Sequence, residues 1–150
     1  MRTGMDETQA RRRRLAVLAR ASRAEIEVLL GAAGPLPAHE VLKPAETGTV
    51  MVEGRAGGAG RRFNLGEATV TRCVIRLACG TMGFSYALGR DGRKARLAAV
   101  AEALLQREGA AGPLGRGIEA LAEAQRAARE LASRKAAASR VDFFTLVRGG

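Results

Sequence analysis

Of the five aromatic residues in this 150-residue chain, Phe143 and Phe144 stand side by side near the C-terminal end. Small proteins are usually frayed and polar there. The two rings lie within Ser139-Arg-Val-Asp-Phe-Phe-Thr-Leu-Val-Arg-Gly-Gly150. Leaving Val141, Phe143, Phe144, Leu146 and Val147 in water would cost ~1.5–3 kcal/mol for each large side chain. The segment is therefore expected as an extended tail docked on its own domain or on another chain, with Arg140, Val141, Phe143, Phe144, Leu146 and Val147 forming a partner interface. Only Phe63, Phe84 and Tyr86 remain as aromatics, and there is no Trp. Ala, Leu and Val must then fill the core. Small side chains bury little area each, so a permanent partner would relieve a marginal fold.

The length suits one domain, expected over 11–150 behind a disordered tail at 1–10. Net charge is +10, and 22 of the 25 basic residues are Arg. That balance raises a nucleic-acid reading, but the charge is spread out. Residues 1–30 contribute +3, 31–66 +1, 67–90 +2 and 91–150 +4, and Arg11–Arg14 is the one true run. Cys73 and Cys79 lie six apart, too far along one strand to bridge, and read as reduced thiols. With His39 the single histidine and no CxxC, a Cys/His zinc site is nearly excluded. The apolar stretch after Arg14 is too short for a signal peptide, and nothing approaches ~20 uninterrupted apolar residues. The expected location is cytoplasmic.

Residues 8–30 read as one amphipathic helix with Leu15, Leu18, Ser22, Ile26, Leu29 and Leu30 on a stripe. The Arg run near its start opposes the helix dipole, hence the expected disorder before residue 11. Short segments at 49–53, 61–65, 68–77 and 82–88, separated by Gly-containing connections, read as a four-stranded antiparallel meander. In the last of these Met82, Phe84, Tyr86 and Leu88 share a face that looks like core. Asp91 is placed to cap a helix over 92–107 with Leu97, Ala101, Leu104 and Leu105 buried. Gly109–Gly117 reads as a loop. An Ala-rich helix then runs to about Arg134 with Ile118, Leu121, Gln125, Ala128 and Ala132 inward. Helices gathered around an antiparallel sheet make an α+β domain.

Chemistry-bearing motifs are sparse. Gly57, Gly58 and Gly60, flanked by Arg55, Arg61 and Arg62, could bind phosphate through backbone amides and guanidinium forks. This is not a P-loop, since Gly-Lys-Ser/Thr is missing, and a flexible hairpin loop with solvated arginines is the favoured reading. Arg90 precedes a helix start where amides can hold an anion. His39 lies in a Pro-bounded linker. No nucleophile, base and orienting group are grouped, so no catalytic residue is assigned.

Several segments, in order, resemble one family. They are Glu46-Thr-Gly48, Arg55-Ala-Gly-Gly-Ala-Gly-Arg-Arg-Phe63, Gly66-Glu-Ala-Thr-Val-Thr-Arg72, Gly83-Phe-Ser-Tyr-Ala-Leu-Gly-Arg-Asp91 and Ser139-Arg-Val-Asp-Phe-Phe-Thr-Leu-Val-Arg-Gly149. The set resembles the PhnG family, the G subunits of the bacterial carbon–phosphorus lyase core complex. The resemblance implies a cytoplasmic subunit acting with subunits H, I and J, and functionally with L. Together they displace adenine from ATP by an alkylphosphonate, methylphosphonate being the reference, to give the α-D-ribose 1-alkylphosphonate 5-triphosphate. It also implies that ATP is a substrate of the complex and that this chain binds no cofactor of its own. Catalysis lies elsewhere, with nucleosidase-like chemistry in subunit I and radical C–P cleavage in subunit J. Direct participation would fall to Arg55, Arg61, Arg62 and Arg90. A small nucleic-acid-binding protein, with aromatics exposed between arginines on a sheet face, is the rival reading.

Overall fold

The computed structural model describes the backbone of residues 2–55 and 62–148, and within it the side chains of all but 2–5, 55, 64 and 139–148. Two helices come first, α1 (Arg2–Arg20) and α2 (Arg23–Ala32). The single helix expected over 8–30 is thus broken at Ala21–Ser22. Ser22 is not on a buried stripe but is an N-cap: its hydroxyl accepts from the Glu25 amide while the Glu25 carboxylate accepts from the Ser22 amide. This capping box offers the backbone a better partner than continuation of the helix. The segment 1–10, expected as disordered, enters α1 from Arg2. The Arg run then lies beyond the first turns, where the helix dipole no longer acts on it.

Three strands follow, β1 (His39–Arg55), β2 (Arg62–Leu77) and β3 (Met82–Leu88), in the antiparallel order β1-β2-β3. All four expected segments lie in this meander within the described residues, but 62–65 and 68–77 fall in one strand, so the sheet has three strands. The register shifts between Val52 and Glu53 where Val52 pairs with Gly66 and Glu53 with Asn64. Leu65 is bulged out, and the strand passes Gly66 at φ 149° without ending. β1 also begins earlier than expected, so His39 opens a strand and is not in a linker. Pro44 is tolerated because β1 is an edge strand, and the register shifts around it.

Two helices complete the chain, α3 (Gly92–Glu108) and α4 (Pro113–Arg148). The Asp91 side chain accepts from the Lys94 amide and caps α3 as expected. Expected loop residues 113–117 are instead the first turn of α4. Pro113 stands at its first position, where a missing N–H costs nothing. The helix does not stop near Arg134 but continues to Arg148, so the backbone expected as an extended C-terminal tail is helical. The docking expected of its side chains, Arg140 to Val147, lies outside the described residues.

α3 is the centre of the core. One side of it packs on the sheet and the other on α1, α2 and α4. Leu97, Ala101 and Leu105 are buried as expected, joined by Ala95, Ala98, Ala99, Val100 and Ala103. Around them lie Leu18, Ile26, Leu29, Leu30, Cys73, Ile75, Leu77, Leu114 and Ile118. The result is a layer of sheet, a layer of one Ala-rich helix and an outer layer of helices, an α+β domain. In α4, Ile118 is buried and the Gln125 amide donates to the Val17 carbonyl at 3.0 Å. Ala128 and Ala132, expected inward, are exposed, because α4 has by then passed beyond the body of the domain. An α-helix rises 1.5 Å per residue, so the 23 residues from Arg126 to Arg148 run on for ~34 Å.

Candidate functional site

The sheet has one covered and one open face. Along β3 it is Gly83, Ser85 and Ala87 that are buried against α3, while Phe84 and Tyr86 are half-buried and Met82 and Leu88 are 51% and 42% exposed. The face expected to be core is therefore the outer one. The reason is steric. A Cβ on Gly83 would stand 2.0 Å from the Ala99 carbonyl oxygen and 2.8 Å from the Ala103 Cβ. An alanine-rich helix lying that close to the strand leaves no room for large inward side chains. The Ser85 hydroxyl fixes the approach by donating to the Ala95 carbonyl at 2.5 Å.

Cross-strand pairing assembles the open face. Glu46 lies opposite Arg72, Gly48 opposite Val70 and Val50 opposite Ala68, while on the other side Arg72 faces Tyr86 and Val74 faces Phe84. Glu46, Val50, Val70, Arg72, Val74, Phe84 and Tyr86, together with Lys43, Pro44 and Leu88, line a groove of about 550 Å³. The Phe84 and Tyr86 rings are tilted by 45° with centroids 6.2 Å apart. Arg72 is exposed at the middle of the groove and makes no ion pair among the described residues, although Glu46 is its cross-strand neighbour. Arg76, farther along β2, is held by Glu40 at 2.7 Å. Exposed aromatics between arginines are what the nucleic-acid reading asked for. Here, however, one arginine is committed to a carboxylate and the two rings pack on each other.

The β1–β2 hairpin extends this surface. Met51, Val52, Phe63 and Leu65 near its tip are all substantially exposed. An isolated two-stranded ribbon is marginal in water, so apolar groups on it are exposed at a cost. Of the proposed phosphate-binding residues, Arg55 is the last residue of β1, and Gly57, Gly58, Gly60 and Arg61 lie outside the described residues. Arg62 opens β2 opposite Arg55 and approaches Glu53 at 3.9 Å, with both side chains largely in solvent. Arg90 is exposed at the turn between β3 and α3. Val70 pairs with Leu88, so Arg90 comes to about the level of Ala68, and with β2 rising ~3.3 Å per residue Arg62 and Arg90 are roughly 20 Å apart. The chain does not bring them to one site by itself.

Buried polar groups serve the fold. Glu102 is 0% exposed. Its carboxylate accepts from Arg11 Nε at 2.9 Å, the Phe84 amide at 3.1 Å and the Gln106 side-chain amide at 2.8 Å, tying α1, α3 and the β3 edge together. Arg13 makes two 2.9 Å bonds to Glu119. Arg11 and Arg13 of the run therefore join helices, while Arg14 Nε is buried without a hydrogen-bond partner. Burial pushes the Lys94 ammonium below its usual range, and it donates to the carbonyls of Ala19 near the end of α1 and Leu88 at the end of β3. His39 Nδ1 is 2.9 Å from the Pro37 carbonyl, and Arg96 Nε donates to its Nε2 at 2.9 Å, which leaves the ring no free nitrogen for base catalysis. Cys73 is buried and Cys79 exposed, both free. Among the described residues no group of His, Cys, Asp and Glu side chains could hold a metal ion, and no helix is long and apolar enough to cross a membrane.

Sequence reasoning missed Glu102, whose signal was a lone carboxylate inside the apolar run of α3. It also placed the aromatic face of β3 inside. The cue for the correct placement was the complementary set Gly83, Ser85 and Ala87 beside a helix built from alanine.

Comparison with known proteins adds an independent finding. The family described as phosphonate metabolism protein PhnG matches residues 9–149. The alpha-D-ribose 1-methylphosphonate 5-triphosphate synthase subunit PhnG of Rhizobium meliloti (strain 1021) is 42% identical over 143 residues, covering 93% of this chain and 89% of that protein.

Proposed function

The chain belongs to the PhnG family of phosphonate metabolism proteins, and from that premise we propose that it is the corresponding subunit of a ribose 1-methylphosphonate 5-triphosphate synthase. The observation that carries this reading is the 42% identity, over nearly the full length of both chains, to a subunit of that name. In the reaction a phosphonate oxygen bonds to C1′ of the ATP ribose while the C1′–N9 bond to adenine breaks. Adenine leaves with a proton, and the triphosphate is retained. ATP is thus a substrate of the assembly, and no cofactor is assigned to this chain.

The role assigned here is structural or regulatory. Support comes from the described residues, where the buried polar groups, Arg14 Nε apart, are engaged in holding elements together and large apolar side chains face outward on the sheet and hairpin. Subunits H, I and J are the proposed physical partners, with L acting functionally, in the cytoplasm. The helical segment 139–148 is proposed as a second contact beside the open face. The test is reconstitution: adenine release from ATP and methylphosphonate is measured with the other subunits, with and without this chain. Release that requires the chain is the expected result. Undiminished release without it would end the subunit reading.

A further inference from the structure

The open face of the sheet offers more detail about what covers it. Three large side chains of β3, Phe84, Tyr86 and Leu88, and three valines, Val50, Val70 and Val74, surround one arginine that lacks an ion-pair partner among the described residues. Leaving an arginine within an apolar face is unfavourable if the face is closed over without a counter-charge. The groove carries Lys43 and Arg72 against Glu46 alone, so a closing partner that brings a carboxylate balances the second cation. Its width is also constrained. The outer strands of a three-stranded sheet lie ~10 Å apart, which matches one α-helix with its side chains at ~10–12 Å. A helix on this face would complete a layer opposite α3, the usual way a sheet buries its second side.

A second copy of this chain is a poor source of that helix. The projecting part of α4 carries Arg126, Arg129, Arg134, Lys135, Arg140 and Arg148 against Glu130 and Asp142 alone. Laid over Arg72 and Lys43 it would set like charges together. We infer that the open face receives one amphipathic, acidic helix of another subunit, whose apolar side packs on Phe84, Tyr86 and Leu88 and whose carboxylate pairs with Arg72. The inference rests on the subunit reading above and goes beyond it in naming the surface, the element and the charge of the occupant.

The experiment is co-purification of the full chain with the remaining synthase subunits, comparing wild type with Arg72→Glu, Arg72→Lys and Leu88→Asp. Circular dichroism melts of each isolated variant accompany it. Arg72 is exposed and unpaired, so its variants are expected to melt like wild type. Recovery of partners should fall on the order of tenfold or more for Arg72→Glu and survive in Arg72→Lys. Leu88→Asp should also lose partners, since it places a second charge on the apolar strip. A partner acid-to-Lys change that restores recovery with Arg72→Glu would identify the helix. If wild type recovers its partners and Arg72→Glu recovers them equally, the inference is overturned while the subunit reading stands. If wild type recovers none, both fall. An isolated wild-type chain that sediments as a dimer, and a monomeric Arg72→Glu, would assign the face to self-association and overturn it too.

Discussion

The two faces of the sheet are made by alternate residues of the same strands, yet they do different work. On the face toward α3 the residues of β3 are Gly83, Ser85 and Ala87, and the helix above them presents Ala95, Ala99 and Ala103. On the other face stand Met82, Phe84, Tyr86 and Leu88, the last three lining an open groove. The closed face obtains its stability from close approach, and the open face holds apolar area in reserve. Along β3 the large side chains are thus outside, and the large buried ones come from β2 and the helices, among them Ile75, Leu77, Leu18 and Ile26. A protein designed to live alone would put its aromatics under α3 and its small residues outside. The reverse arrangement is what an interface subunit needs, because its own fold and its assembly then draw on separate sets of residues.

The sharpest way to break this comparison is to put size on the closed face. Gly83→Val should destabilise the isolated chain by ~3 kcal/mol or more, since its Cβ would meet backbone that cannot move aside cheaply. An unchanged urea midpoint would mean that α3 does not lie so close. Next in size is Glu102→Ala, expected to cost ~2–3 kcal/mol by stranding the Phe84 amide at the β3 edge. Glu102→Gln keeps an acceptor and should cost about 1 kcal/mol, again by urea unfolding. On the open face the order of effects reverses. Tyr86→Ala should change the isolated chain by only about 1 kcal/mol but sharply reduce recovery of partner subunits. Equal recovery, or a collapse of the isolated fold, would return that face to the core.

The thiols give the smallest and most local contrast. Burial pushes the Cys73 thiol up, whereas hydrogen bonding with the Thr81 side chain and backbone holds exposed Cys79 below its usual range. One thiol per native chain, Cys79, should react rapidly with an aromatic disulfide reagent near neutral pH, and two after denaturation. The linkage for Cys73 has a definite sign. Its folded pKa lies above the unfolded one, so its contribution is present below the unfolded thiol's range and is lost as pH rises through the folded pKa. A Cys73→Ala variant should therefore show a weaker loss of stability at alkaline pH than wild type. Two equally fast native thiols would contradict the burial of this strand face.

Much of the architecture was legible in the residues. Asp91 and the Leu97, Ala101, Leu105 spacing locate α3 and its buried side, and the alternation of 82–88 locates β3. Alternation alone does not say which face goes in. Size suggested the aromatic one, and the decision was taken instead by a helix ten residues downstream that is too small and too close to admit it. The break at Ser22 was written as a capping box, Ser22 with Glu25, but lay under a continuous apolar stripe that pointed to one helix. The merging of 62–65 with 68–77 depends on a bulge at Leu65–Gly66, and glycine in a strand reads equally as bulge or stop. For the site, the ordered motifs from Glu46 to Gly149 identified the family, while the uncovered face was hidden behind the assumption that aromatics are buried.

The central claim is that the open face is empty in the isolated chain and covered in the assembly. Hydroxyl-radical footprinting read by mass spectrometry tests it directly at Met82, Phe84, Tyr86 and Leu88. These residues should be labelled in the isolated subunit and protected once the synthase subunits are assembled, with exposed Val28 on α2 as the internal reference. Labelling of the four at the same rate in both states would show that nothing docks on the sheet and would contradict the account.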